Sequence, residues 1–128
     1  MKTITICDKE YEIKCNAFTR FEYKRIFNVG IFEDIQKLND FSQSQELLRQ
    51  ELKSEGIEEE EIEEKIANQM IGKLDDFIDV IEKMAYILIY TANNKIGTFE
   101  EWLSGIDKID MSAEWVKVVT EFTVESFC

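Results

Sequence analysis

Alternating apolar and polar residues at the start of the chain predict a β-hairpin over residues 1–15. Ile4 and Ile6 alternate with threonines, and Tyr11, Ile13 and Cys15 alternate with charged residues, as on a strand with one buried face. The two runs are separated by Asp8-Lys9, and an aspartate suits the left-handed backbone of a tight turn. Because a two-stranded hairpin is marginal alone, we expect it to lie on the remainder of the chain.

Helices are predicted over residues 16–38. Asn16 can cap the first helix and Gly30 is placed to end it. A second helix should begin near Ile31, and the polar residues 40–44 are expected to break it. The first helix carries a broad apolar face, formed by Phe18, Phe21, Tyr23, Ile26 and Phe27.

Apolar residues at steps of three and four predict one long helix over residues 62–93. Its stripe begins at Ile62 and runs to Ala92, with Gly72 inside it. Residues 39–66 before and around its start form an acidic helical insertion, in which Leu47, Leu48 and Leu52 mark a further helical stretch. A helix of about 45 Å exceeds the core of a small domain, so its first part should either project or pair with residues 47–52.

C-terminal helices are predicted over residues 98–127. Thr98 with Glu101 three positions later has the spacing of a capping box, and Gly105 is a stop signal. Residues 115–124 fit both a strand and a helix, because apolar residues alternate there and also recur at helical spacing. Ser112 as a cap favours the helix. The expected fold class is therefore mainly α with a small N-terminal β-hairpin (α+β), a single domain over 1–128 built around one long central helix.

The charge is strongly negative and unevenly placed. The formal net charge is −12, and nine of these twelve charges lie in residues 51–82, most densely at Glu58–Glu61 and Glu63–Glu64. A chain of this charge is unsuited to phosphate backbones and to anionic membranes, so neither nucleic acid nor membrane is an expected partner. The first residues lack the apolar stretch of a signal peptide, which predicts a cytoplasmic location.

The residue types do not support catalysis or a bound cofactor. The chain contains no histidine and none of the familiar nucleotide-binding or nucleophile motifs, so we expect neither an enzyme nor a cofactor. Three cysteines without CxxC spacing do not make a zinc site, and Asp75 with Asp79 offers one helix face rather than a cation loop. No metal site is predicted.

The order of elements resembles a known family. An opening hairpin from Thr3 to Ile13 leads into Tyr-Lys-Arg-Ile-Phe at residues 23–27; later come Met-Ala-Tyr-Ile-Leu-Ile-Tyr at 84–90 and Thr-Phe-Glu-Glu-Trp-Leu at 98–103. Over residues 1–38 and 80–128, this arrangement resembles the tail assembly chaperones of long-tailed (siphovirus-type) bacteriophages and prophages. The middle of the chain does not take part in the resemblance.

The resemblance implies a small, helical, non-enzymatic protein of the bacterial host cytoplasm. Such a chaperone binds the tape-measure protein and keeps it soluble while tail-tube subunits assemble around it. Many members also exist as a longer, frameshifted form; this chain would be the short form, ending near Phe127 and Cys128. The family's recurrent positions would be core residues here: Tyr23, Phe27, Tyr86, Trp102 and Leu103. Whether the chain forms oligomers stays open.

Our hypothesis from the sequence is that the long helix and residues 47–52 frame an apolar groove for a tape-measure helix. The predicted partner-binding residues are Leu48, Leu52, Ile62, Ile66, Met70, Leu74, Trp115, Phe122 and Phe127. Two other interpretations stay open. One is an acidic mimic of DNA that inhibits a host DNA-binding protein, and the other is a structural component of the virion.

Overall fold

The chain begins with the predicted hairpin. The structure is a computed structural model that describes residues 2–107 and 113–127, apart from the side chain at position 127. Strands β1 (Lys2–Ile6) and β2 (Lys9–Ile13) are antiparallel, with Ile4 opposite Tyr11. The turn residues are Cys7 and Asp8, at φ 49° and 67°, rather than Asp8 and Lys9. Two consecutive left-handed residues make the turn that matches strand twist, and Lys9 is thereby free to pair with Ile6.

Five helices follow within the described residues: α1 (Ala17–Phe27), α2 (Ile31–Ser54), α3 (Glu59–Ala92), α4 (Phe99–Ser104) and α5 (Glu114–Phe127). Mainly α with a small N-terminal hairpin is therefore the correct fold class. Asn16 caps α1 as predicted, and the Thr19 side chain accepts from the Asn16 amide in return. Asn28, in the left-handed region, ends α1, whereas Gly30 caps the start of α2 instead of closing α1.

Helix α2 is continuous for 24 residues, so the predicted break at residues 40–44 is wrong. Within this polar stretch the Phe41 ring stacks on Phe77 of α3, with ring centroids 4.4 Å apart. The Gln36 amide also donates to the Asp40 carboxylate at 3.0 Å, one turn along the helix. Packing against α3 outweighs the weak local preference of these residues for a turn.

The second half of α3 forms the centre of the main core. Residues 80 and 81 and the whole run 84–89 are buried, because the hairpin and the other four helices all contact α3. The Lys14 amide after β2 donates to the Leu88 carbonyl at 3.1 Å, which fixes the hairpin against this helix. The positions that the family resemblance places in the core do lie there: Tyr23, Tyr86 and Trp102 are buried, and Phe27 and Leu103 pack against them.

Helix α1 does not bury its whole apolar face. Tyr23 is fully buried and Ile26 partly so, but Phe18 and Phe21 are 60% and 58% exposed. The side of α1 that meets α3 is completed by Thr19, whose hydroxyl lies 3.0 Å from that of Thr91. Apolar residues at positions 18 and 21 therefore fall outside the contact.

The C-terminal elements follow the sequence prediction. The Thr98 hydroxyl accepts from the Glu101 amide at 3.1 Å, completing the capping box, and Gly105 caps the end of α4. Residues 115–124 are helical, so the strand alternative is wrong there. Val119 and Thr123, one turn apart, are both buried against the core. Ser112, the predicted cap of this helix, lies outside the described residues.

Candidate interaction surface on the distal hairpin

The connection between α2 and α3, together with the ends of the two helices beside it, is here named the distal hairpin. It comprises residues 41–54 of α2, the connection, and residues 59–77 of α3. Gly56, at φ +78°, makes the turn. Its amide donates to the Lys53 carbonyl and the Ile57 amide to that of Leu52, the two bonds of a Schellman motif. This tight end fixes α3 antiparallel to α2.

A small apolar cluster of its own closes the distal hairpin. Leu52, Ile62, Ile66 and Met70 are 5%, 1%, 2% and 8% exposed, and Phe41, Leu48 and Ile57 pack against them partly buried. All of these residues come from α2, α3 or their connection. Met70 is separated from Val80, the first α3 residue buried in the main core, by about 15 Å of helix. The distal hairpin is therefore held by a single row of contacts between two helices.

The open groove predicted from the sequence is occupied by this chain's own helix. Of the predicted partner-binding residues, Leu52, Ile62, Ile66 and Met70 are buried between α2 and α3, and Leu48 packs against them partly buried. Leu74 is half-buried. The short connection brings the apolar row of α2 onto the apolar row of α3, so α2 takes the place expected for a client helix. The buried residues of this apolar row are therefore covered by the chain itself in this conformation.

The C-terminal candidates do not join the distal residues. Trp115 is 5% exposed and belongs to the main core, and Phe122 packs partly buried against it. The Lys2 ammonium lies 5.3 Å from the centre of the Phe122 ring, over its face. Phe127 falls within α5, but its side chain lies outside the described part of the chain.

Two exposed apolar residues of the distal hairpin are not among the predicted partner-binding residues. Leu47 and Ile71 are each 67% exposed. Leu47 directly precedes Leu48, and Ile71 directly follows Met70, two residues of the contact between α2 and α3. Two adjacent residues on a helix point about 100° apart, so both cannot lie in a narrow contact between two helices. The doublets Leu47-Leu48 and Met70-Ile71 were the signal that could have found this surface.

Charged residues surround the distal hairpin. Glu59, Glu60 and Glu61 occupy the first turn of α3, where the helix dipole favours negative charge. The Arg49 guanidinium donates to the Glu63 carboxylate across the helices. That hydrogen bond lowers the pKa of Glu63 and raises the pKa of Arg49. The pair is solvent-accessible and therefore contributes little to stability.

A ring stack links the distal hairpin to the main core. Phe41 packs on the distal cluster and Phe77 on the main core, and their rings stack. A shallow depression beside the stack is lined by Lys37, Asp40, Phe41, Ser44, Lys73, Asp76 and Phe77. The stack is the place at which the two apolar clusters meet.

In the ranges 2–107 and 113–127 no three carboxylates or thiols gather as a metal site. Burial raises the pKa of the Cys15 thiol, which opposes formation of a reactive thiolate. Within the same ranges, no helix combines the length and the apolarity required to cross a membrane. Comparison with protein-family models, with curated proteins and with solved structures gives no match.

Proposed function

We propose that this chain is a tail assembly chaperone, which binds amphipathic helices of a tape-measure protein and keeps them soluble during tail assembly. The resemblance of residues 1–38 and 80–128 to that family supports the proposal. The observation that carries it is the incomplete apolar surface of the distal hairpin, where Leu47 and Ile71 stay two-thirds exposed.

Two packed helices cannot enclose all their apolar residues, and client helices packed on the outside of the pair can cover those that stay exposed. Leu48 and Leu74 are half-buried and Leu47 and Ile71 exposed, so each helix of the pair retains apolar area that a client helix would cover. The binding surface is thus the outside of a closed pair, which replaces the open groove expected from the sequence. The client would be recognised by its apolar stripe.

The acidic charge supports the same role. Long amphipathic helices aggregate through their apolar stripes when these are unpaired. A carrier with net charge −12, concentrated in residues 51–82, adds repulsion between complexes that have formed. The apolar side chains hold the client, and the surrounding carboxylates keep the loaded complex dispersed.

Co-expression with the proposed client, the tape-measure protein that the proposal expects to be encoded in the same gene cluster, tests the proposal. We expect the tape-measure protein in the soluble fraction with the unaltered chain, and mostly in the pellet with the double variant Leu47→Ser/Ile71→Ser. Both positions are exposed, so the variant keeps its fold, which circular dichroism checks. Phe32→Ser is the matched control, since Phe32 is 51% exposed and lies outside the distal hairpin.

Two results would contradict the proposal. If the tape-measure protein is equally insoluble with and without this chain, the chaperone function is wrong. If the double variant solubilises it as well as the unaltered chain does, the assignment to the distal hairpin is wrong.

A further inference from the structure

The exposed side of α1 carries two neighbouring aromatic rings. Phe18 and Phe21 are 60% and 58% exposed, and their ring centroids lie 5.4 Å apart. Because the opposite side of α1 packs into the core through Thr19 and Tyr23, these rings do not serve the fold. Paired exposed aromatics are typical of surfaces that bind other proteins.

Cations flank this ring pair. Arg20 and Lys24 are exposed, and no carboxylate of the described residues lies within ion-pair distance of either. Arg25 differs, since its guanidinium is 2.5 Å from Glu22. A surface depression is lined by Arg20, Phe21, Lys24 and Arg25, so the cations and a ring face the same space. Among the arginines of the described residues, Arg20 is the one without a carboxylate partner, since Arg25 pairs with Glu22 and Arg49 with Glu63.

We propose that this α1 face, formed by Phe18, Arg20, Phe21 and Lys24, is a docking site for an acidic segment of another protein. An apolar side chain of that segment packs on the two rings, while its carboxylates bind Arg20 and Lys24. Arginine suits this role because its guanidinium binds a carboxylate through two parallel hydrogen bonds. The partner recognised here is defined by charge, so it differs from a client that the distal hairpin would hold by an apolar stripe.

Charge complementarity favours an acidic peptide over a nucleic acid. A phosphate backbone extends beyond two cations and would meet the carboxylates that dominate the rest of the chain. A short acidic segment can be confined to α1. A second copy of this chain would bring another twelve net negative charges, which opposes its approach.

A defined probe tests the proposal. The probe is a fluorescein-labelled synthetic helix with leucines at three- and four-residue spacing and glutamates beside them, followed by fluorescence anisotropy with the full chain. We expect binding that weakens as salt rises. We further expect the affinity to fall at least tenfold with Arg20→Glu/Lys24→Glu and with Phe18→Ser/Phe21→Ser.

The matched control reverses the same number of charges elsewhere. Lys9→Glu/Lys95→Glu alters two exposed lysines away from α1, and we expect less than a twofold change in affinity. A probe with serines in place of the leucines should bind weakly to the unaltered chain. Circular dichroism of each variant establishes that the fold is retained.

Several outcomes would overturn the proposal. They are the absence of probe binding, an affinity that Arg20→Glu/Lys24→Glu leaves unchanged, and a single-stranded oligonucleotide that binds the same residues more tightly than the probe. Self-association of the unaltered chain in sedimentation velocity that this variant abolishes would assign the face to a second copy instead. The experiment contains no tape-measure protein, so its result is independent of the chaperone proposal.

Discussion

A single buried carboxylate ties three helices together. Asp34 of α2 is fully buried, accepts a hydrogen bond from the Tyr23 hydroxyl of α1, and lies 2.9 Å from the Lys83 ammonium of α3. Burial and the bond to Asp34 raise the pKa of Tyr23, so its hydroxyl stays protonated and donates. Lys37 is 3.6 Å from the other carboxylate oxygen, but its side chain is 57% exposed. The inner partner of Asp34 is therefore Lys83.

Replacing Lys83 by methionine should destabilise the chain by about 3 kcal/mol, because Asp34 would keep a buried charge without its closest cation. Lys37→Met is the matched control and should cost less than about 1 kcal/mol, since that pair is largely solvated. Urea unfolding followed by circular dichroism measures both. Equal losses for the two variants would show that Asp34 does not depend on the inner lysine.

This network could not be predicted from the sequence. Tyr23 was recognised as part of an apolar face, but Asp34 has the pattern of an ordinary acidic residue in the first turn of a helix. Lys83 is 49 positions later. Only the packing of α1, α2 and α3 brings the three side chains together, and spacing along one helix carries no information about it.

At the scale of the elements, two glycines should respond in opposite ways to the same substitution. Gly56→Ala should destabilise the chain by about 1 kcal/mol, because an L-residue is strained at φ +78°. Gly72→Ala should stabilise it by up to about 1 kcal/mol, because Gly72 lies inside α3 and an added Cβ meets no atom within 4 Å. Thermal unfolding of both variants checks this, and shifts of the same sign would contradict it.

Most helices and strands could be predicted from the sequence, but which side of each helix is buried could not. Caps such as Asn16 and Thr98 are local signals, and they marked helix starts correctly. The sequence identified the apolar residues of α1 but not which of them are covered, because Phe18 and Phe21 satisfy helical spacing equally well on a buried or an exposed side. Periodicity identifies a helix, but the neighbouring elements decide which apolar residues are covered.

At the scale of the whole molecule, the two apolar clusters should differ in stability. We expect backbone amides of residues 62–70 to exchange hydrogen faster than those of residues 84–89, because the distal cluster is one row between two helices while the main core is enclosed by all other elements. Hydrogen exchange measured by mass spectrometry tests this. Ile66→Ala should accelerate exchange in the distal hairpin and leave residues 84–89 unchanged. Uniform protection along α3 would contradict the expectation.

The candidate site was predicted in part. The sequence indicated that the start of the long helix would project or pair with residues 47–52, and pairing is what the structure has. The α3 residues of the distal cluster, such as Ile62 and Ile66, were identified correctly as one apolar row. Their accessibility was wrong, because an apolar row looks the same whether its partner helix belongs to this chain or to another.

The separation of the two clusters has a consequence for how the length of the molecule can vary. Deleting one turn from each of α2 and α3, about four residues on either side, would shorten the distal hairpin while leaving Val80–Ile89 and everything packed around them in place. Insertions of matched turns would lengthen it in the same stepwise manner. The length of the distal hairpin can thus change in steps of about 6 Å while the main core stays the same.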